Sequence, residues 1–239
     1  MVDRQFRDFE LARLYDALCV GREDFGFYLP LVLQATAVLD VGCGTGELLR
    51  IARSRGHTGR LVGLDPGEAM LRVAQAELTV EWVPGDLTTA EYWNEFDLVV
   101  MTGHAFQVLL TDDDVRTALV AVRRALKTDG HFVFETRNPL ARGWEQWAPI
   151  EVEYEGVPFR YSPREIRQDG ELVSFTSVYS RPGWAEDELS HSTLRFMSRV
   201  RLVELLGEAG LRVVDQYGDW GREPLTDSSP EIITVAAPA

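Results

Sequence analysis

Three glycines at alternate positions, Gly42, Gly44 and Gly46, follow the apolar stretch Ala37 to Val41 and lead into Glu47. Glycines spaced this way let a backbone approach a ligand closely, and the helix that follows offers free N–H groups at its N-terminus. A dinucleotide-binding turn spaces its glycines G-x-G-x-x-G and seats a pyrophosphate on the helix dipole. Counted from Gly42, that pattern needs a small residue at position 47, where this chain carries a glutamate. Its carboxylate opposes a pyrophosphate, and Asp40, just before the turn, adds a second negative charge. The turn therefore suits a ligand that is not polyanionic and whose near end is cationic. Further along, Asp65 and Asp86 each close a short apolar run, while His104 and Glu135 follow or end two others. An imidazole and a carboxylate at such points are candidates to take a proton.

The elements that must position these groups are short and alternate in kind. Leu11 to Leu33 has helical spacing broken by Gly21, Gly26 and Pro30, which predicts two short helices. Strands are expected at 37–41, 60–65, 80–83, 96–101 and 131–135, with helices at 47–55, 68–77 and 113–126, the last opened by Thr111. Strands alternating with helices imply right-handed βαβ units and a mostly parallel sheet covered on both faces. After Pro139 the period changes to two. Ile150, Val152 and Tyr154 alternate with glutamates, Val157, Phe159 and Tyr161 continue, Asp169-Gly170 marks a hairpin, and strands are expected at 172–179 and 190–196. A helix from the Ser198 cap to Ala209 and strands at 211–217 and 231–236 restore the first rhythm. The expected organisation is a core of residues 1–138 and 198–239, with an antiparallel insertion at 139–197.

Charge narrows the partners. The 24 basic and 38 acidic side chains leave −14, and Lys127 is the only lysine, an arginine bias that suggests a GC-rich bacterial source. Such a field repels phosphate backbones and anionic membranes, so neither nucleic acid nor membrane is expected. Cys19 and Cys43 are too few for a disulfide framework or a four-thiolate metal site, and no metal site is expected. With a charged start (Met1 to Phe6) and no long apolar run, the chain reads as cytoplasmic, a monomer or homodimer.

The segment Val38-Leu39-Asp40-Val41-Gly42-Cys43-Gly44-Thr45-Gly46 resembles the first motif of class I S-adenosylmethionine-dependent methyltransferases. That cofactor has an adenosine, no phosphate, an α-ammonium and a sulfonium, as the turn requires. The resemblance implies a Rossmann-like seven-stranded sheet with helices on both faces, here with an inserted antiparallel β layer. It implies that Asp65, in Gly63-Leu64-Asp65-Pro66, binds the ribose hydroxyls and that Gly85-Asp86-Leu87 grips the adenine. Asp40, Gly42, Cys43, Gly44, Gly46, Pro66, Met70, Thr102 and Gly103 complete the implied cofactor set, with the run from Phe96 to His104 facing cofactor and acceptor. The insertion is similar to that of amino-sugar and glycine N-methyltransferases, where it roofs or flanks the acceptor. The amino-sugar enzymes' Gly-His-Leu, however, falls on Gln107-Val108-Leu109, which lacks their histidine. No Asn-Pro-Pro-Tyr type signature or Pro-Cys pair is present, so a small-molecule oxygen or nitrogen acceptor is favoured.

His104, Glu135 and Tyr15 are the catalytic candidates, the tyrosine by closing over the sulfonium or acceptor; Arg137 and Asn138, at the same strand end, are further candidates beside Glu135. Tyr154, Phe159, Tyr161 and Trp184 are expected to line part of the acceptor pocket. Plainer roles stand beside these: Asp65 and Asp86 as turn caps, Tyr15 as packing, His104 as a pocket wall. Two other functions fit the fold, a non-catalytic cofactor or partner binder and a nicotinamide oxidoreductase, the latter opposed by Glu47.

Overall fold

The computed structural model describes residues 2–239, so Met1, which opens the expected core segment, lies outside the described residues. Three helices come first: α1 (Arg4–Arg7), α2 (Phe9–Leu18) and α3 (Asp24–Gln34). Then follow β1 (Ala37–Val41), α4 (Glu47–Ser54), β2 (Arg60–Asp65), α5 (Glu68–Ala74), β3 (Glu81–Pro84), β4 (Phe96–Met101), α6 (Asp112–Ala125) and β5 (Leu126–Arg137). Four consecutive strands come next, β6 (Ile150–Tyr154), β7 (Val157–Asp169), β8 (Leu172–Ser180) and β9 (Glu188–Arg195). The chain closes with α7 (Arg199–Glu208), β10 (Leu211–Tyr217) and β11 (Glu231–Pro238).

Seven strands form one sheet in the order β3-β2-β1-β4-β5-β11-β10. All neighbours from β3 to β5 are parallel, and β11 alone runs against the rest. The chain moves outward from β1 through β2 to β3, then returns to lay β4 and β5 on the other side. That reversal opens a crevice at the carboxyl ends of β1 and β4, where such sheets bind ligands. Strands β6 to β9 make a separate antiparallel sheet. Its β9 packs against the 3-10 turn Ala105–Val108 that follows β4, where Gln107 Nε2 donates to the Arg195 carbonyl at 2.9 Å. Among the described residues, no helix is long and apolar enough to cross a membrane.

Side-chain alternation sorts the faces of the large sheet. One face packs Leu39, Val62, Val99, Phe132 and Ile232 against α6 and α7. The other sets Val38, Val100, Val133 and Ile233 against Phe27, Tyr28 and Val32 of α3. Two residues further toward the carboxyl edge, that second face turns from apolar to ionisable. Val38 is followed by Asp40 and Val133 by Glu135 and Arg137; Ile233, on the reversed strand, is preceded by Glu231.

Two elements differ from expectation. β5 starts at Leu126, because Phe96 pairs with Leu126 and Leu98 already with His131. The Asp129-Gly130 signal thus marks a bulge within the strand. β7 continues past Tyr161 to Asp169 through an irregularity between Arg164 and Arg167, where Glu165 takes φ 52°.

Candidate active site

The glycine-rich turn is fixed by what sits against it. Gly42 has φ 72°, and a Cβ there would lie 2.8 Å from the Ala105 Cβ, so the turn after β4 comes up against it. Gly46, also at φ 72°, faces the Trp82 ring, which a Cβ would overlap. Only glycine meets both the dihedral and the space. Asp65 ties the cradle together, its Oδ2 accepting from Gly44 N–H at 2.8 Å and its Oδ1 from Gly67 N–H at 2.7 Å. Helix α2 is pinned over the turn by Asp16, which accepts from the Thr45 hydroxyl and, at 2.8 Å, from Arg50 Nη2.

A narrow cavity opens here, lined by Tyr15, Arg22, Phe25, Asp40, Gly42, Cys43, Gly44, Thr45, Glu47, Leu48, Thr102 and Gly103. Asp40 is fully buried and its Oδ1 has no hydrogen-bond partner. Burial raises its pKa to about 7 despite Arg22, and the charges of Asp65, Glu135 and Asp24 push the same way. A buried unpartnered acceptor is costly unless something supplies a donor or a positive charge. Arg22 is already held by Asp24, with Nε to Oδ1 at 2.8 Å, and stacks on Phe25 with its guanidinium carbon 4.3 Å from the ring centre. Five acids, Asp24, Asp40, Glu47, Glu135 and Glu231, thus share this end with two cations, Arg22 and Arg137.

His104 is gripped twice. Its backbone lies in the left-handed region at φ 62°, uncommon for a residue with a Cβ, directly after Gly103. The His104 N–H donates to Glu135 Oε1 at 2.6 Å, and Tyr28 of α3 donates its hydroxyl to Glu135 Oε2. The ring is held by Glu231, whose Oε2 lies 3.0 Å from Nε2. Burial, reinforced by Arg137, lowers the His104 pKa to about 3, and burial raises that of Glu231 to about 7. The ring is therefore uncharged at neutral pH. When Glu231 is ionised it can only accept, so Nε2 carries the proton and Nδ1 keeps a lone pair. When Glu231 is protonated it donates to Nε2, and the proton sits on Nδ1.

The cavity brings together Tyr15, Asp40, Gly42, Cys43, Gly44, Thr102 and Gly103 of the expected set. Asp65 adjoins through Gly44, Gly46 caps α4, and Met70 is buried with Tyr15, Ala12 and Ala69. Gly85 donates its N–H to the Asp65 carbonyl at 3.0 Å, which sets the end of β3 beside that of β2. Asp86 is exposed and caps its own turn, accepting from Thr88 N–H at 2.8 Å, Leu87 is buried in the core, and Pro66 is exposed.

Two expectations are corrected. Glu135 is completely buried with both oxygens engaged, so it holds the His104 turn in place of reaching an acceptor. Asn138 is structural, donating to the carbonyls of Thr226, Asp227 and Ser229 and so pinning the loop before β11. Of the aromatic residues expected beside the acceptor, Phe159 is buried and Tyr154, Tyr161 and Trp184 are partly buried in a cluster with Leu11, Leu14 and Leu18 of α2. Sequence reading missed Arg22, Phe25 and Glu231. No local motif marks them, and only the fold brings Glu231 to a histidine 127 positions earlier.

Comparison with known proteins agrees with this geometry. The family model "Methyltransferase domain" matches residues 38–130. A Geobacillus sp. (strain WCH70) protein named "Putative methyltransferase GWCH70_2453" is 36% identical over 216 residues, covering 84% of each chain. The CcbJ methyltransferase from Streptomyces caelestis superposes with a TM-score of 0.77 at 20% identity, covering 96% of both chains. CalS10, an amino pentose methyltransferase from Micromonospora echinaspora solved with S-adenosylmethionine bound, gives 0.73 at 23% identity, over 95% of this chain and 97% of that one. The chain belongs to the methyltransferase family and is an S-adenosylmethionine-dependent methyltransferase of the class I fold.

Proposed function

We propose that this enzyme methylates a hydroxyl or amine of a small molecule at the crevice between β1 and β4. The observation that carries the reading is the unpartnered, buried Asp40 Oδ1 among further acids (Asp24, Glu47, Glu135 and Glu231) that outnumber the cations Arg22 and Arg137, a surplus of negative charge suited to a cationic ligand. Asp65 would hold the ribose hydroxyls, and the end of β3 at Gly85 and Asp86 the adenine. Bound there, S-adenosylmethionine supplies an electrophilic methyl group on a good leaving group. What remains for the protein is to exclude water and hold the nucleophile in line, worth roughly 7 kcal/mol or more.

The His104–Glu231 pair is the proton acceptor. With Glu231 ionised, His104 Nδ1 takes the proton from the acceptor's hydroxyl or ammonium, and the imidazolium so formed is held by the carboxylate 3.0 Å from Nε2. Tyr15, packed on Met70 and lining the cavity, covers the cofactor from α2. Residues 139–197 serve as the insertion that flanks the acceptor side, a reading supported by the contact of β9 with the turn after β4.

The test is transfer of labelled methyl from S-adenosylmethionine to a panel of hydroxyl- and amine-bearing small molecules, with nucleic acid and protein as competing acceptors. Label on small molecules is expected. Label only on the macromolecules would overturn the reading.

A further inference from the structure

Next to the His104–Glu231 pair lies a cleft of about 660 Å³, bounded by Arg137, Leu140, Trp147, Asp227, Pro230 and Glu231. Arg137 is the one cation on its wall. The β5–β11 ladder sets Arg137 directly opposite Glu231, so both side chains stand on the same face of the sheet. Glu231 is taken up by His104, however, and no carboxylate oxygen of the described residues comes within 4.0 Å of the Arg137 nitrogens. The guanidinium donates to a neutral group, Gln107 Oε1, at 3.0 Å, and lies over the Trp147 ring with its carbon 5.5 Å from the centre. Arg22, the other cation of this end, is closed off by Asp24 at 2.5 Å. Arg137 is therefore a permanently charged, half-buried fork with donors to spare, in a chain where acids outnumber bases 38 to 24. Such a fork matches a carboxylate held through two parallel hydrogen bonds.

We propose that Arg137 anchors a carboxylate of the methyl acceptor, with Trp147 against its apolar body, so that the substrates are small carboxylic acids bearing a hydroxyl or amine. The inference rests on the methyltransferase reading above. The placement suits it. Glu231, whose carboxylate lies 3.0 Å from His104 Nε2, also borders the cleft, so an acid gripped at Arg137 lies beside the His104–Glu231 pair. Asp227 and Glu231 on the rim oppose a dianion, which favours a carboxylate over a phosphate.

Benzoate is the probe, titrated by ligand-observed NMR into protein saturated with S-adenosylhomocysteine, with benzamide and phenyl phosphate as controls. Benzoate should bind at least about tenfold more tightly than benzamide and more tightly than phenyl phosphate, as a charge-assisted pair requires. Arg137→Gln should weaken benzoate by about tenfold or more and leave benzamide unchanged, with S-adenosylhomocysteine binding as the check on folding. Asp227→Asn, in an exposed loop, should tighten benzoate by about twofold through lost repulsion. Equal binding of benzoate and benzamide, preference for phenyl phosphate, or indifference to Arg137→Gln overturns the anchor and leaves the methyltransferase reading intact. Wild-type protein that takes up no S-adenosylhomocysteine overturns both.

Discussion

The two halves of the crevice are built by different means. On the β1–β2 side, the turn itself is tied by one carboxylate, Asp65, which accepts from the backbone N–H groups of Gly44 and Gly67. On the β5–β11 side they run between side chains brought from afar: Glu231 to His104, Tyr28 to Glu135, Gln107 to Arg137. A cradle made of backbone depends on where the chain can turn and tolerates little change of dihedral. A wall made of side chains can be altered one residue at a time without disturbing the fold. The first half is the one proposed to hold the cofactor, the second the one proposed to face the acceptor.

That contrast can be broken by mutation, beginning with its buried charge. Asp40 holds its proton more tightly in the fold, with a pKa of about 7, than at the usual 3.8. Its contribution to stability is complete below pH ~4 and is lost as the pH rises through 7. Asp40→Asn, which cannot ionise, should be more stable than wild type at pH 8 by up to about 4 kcal/mol, and equal to it at pH 4. Urea titrations at the two pH values decide this, and a pH-independent difference would count against the buried charge.

Gly46→Ala strikes the backbone half. A left-handed alanine driven into Trp82 should cost about 3 kcal/mol of stability, read as a lower urea midpoint. A midpoint equal to wild type would mean that the cradle yields. Asp65→Ala, which removes both backbone bonds and the expected ribose contact, should weaken S-adenosylhomocysteine by about 2–3 kcal/mol in calorimetry. Unchanged affinity in a folded variant removes Asp65 from the site.

In the side-chain half, His104→Ala should lower the turnover rate by at least ~10²-fold with cofactor affinity nearly unchanged. The wild-type rate should rise with pH through about 7, because ionised Glu231 leaves His104 Nδ1 free to accept a proton. Glu231→Gln should lose that rise. A variant that keeps both rate and profile would show that the enzyme works by positioning alone.

The same contrast governs how much was legible in the sequence. The cofactor half is written in contiguous residues: the strand Ala37–Val41, three glycines, then an acid closing each of two neighbouring strands. Strand and helix order followed from periodicity, because each strand's apolar run is buried by the helices around it. The acceptor half is set by register. Nothing near Glu231 announces that an antiparallel last strand will carry it opposite Arg137 and against His104. Sequence position places Glu135 at the strand end, but only packing shows both its oxygens occupied, by Tyr28 and the His104 N–H. The aromatic residues of β6 to β8 also pack on the apolar face of α2, a partner that period-two alternation does not specify.

The central claim is that surplus buried acid at this end of the sheet receives the cofactor's positive charge. Calorimetric titration of S-adenosylmethionine at pH 7, in two buffers of different ionisation enthalpy, tests it most directly. Asp40, about half protonated at that pH, should release about half a proton when the cation binds, and Asp40→Asn should abolish the release. Tight binding with no proton release in wild type, or the same release from the variant, would contradict it.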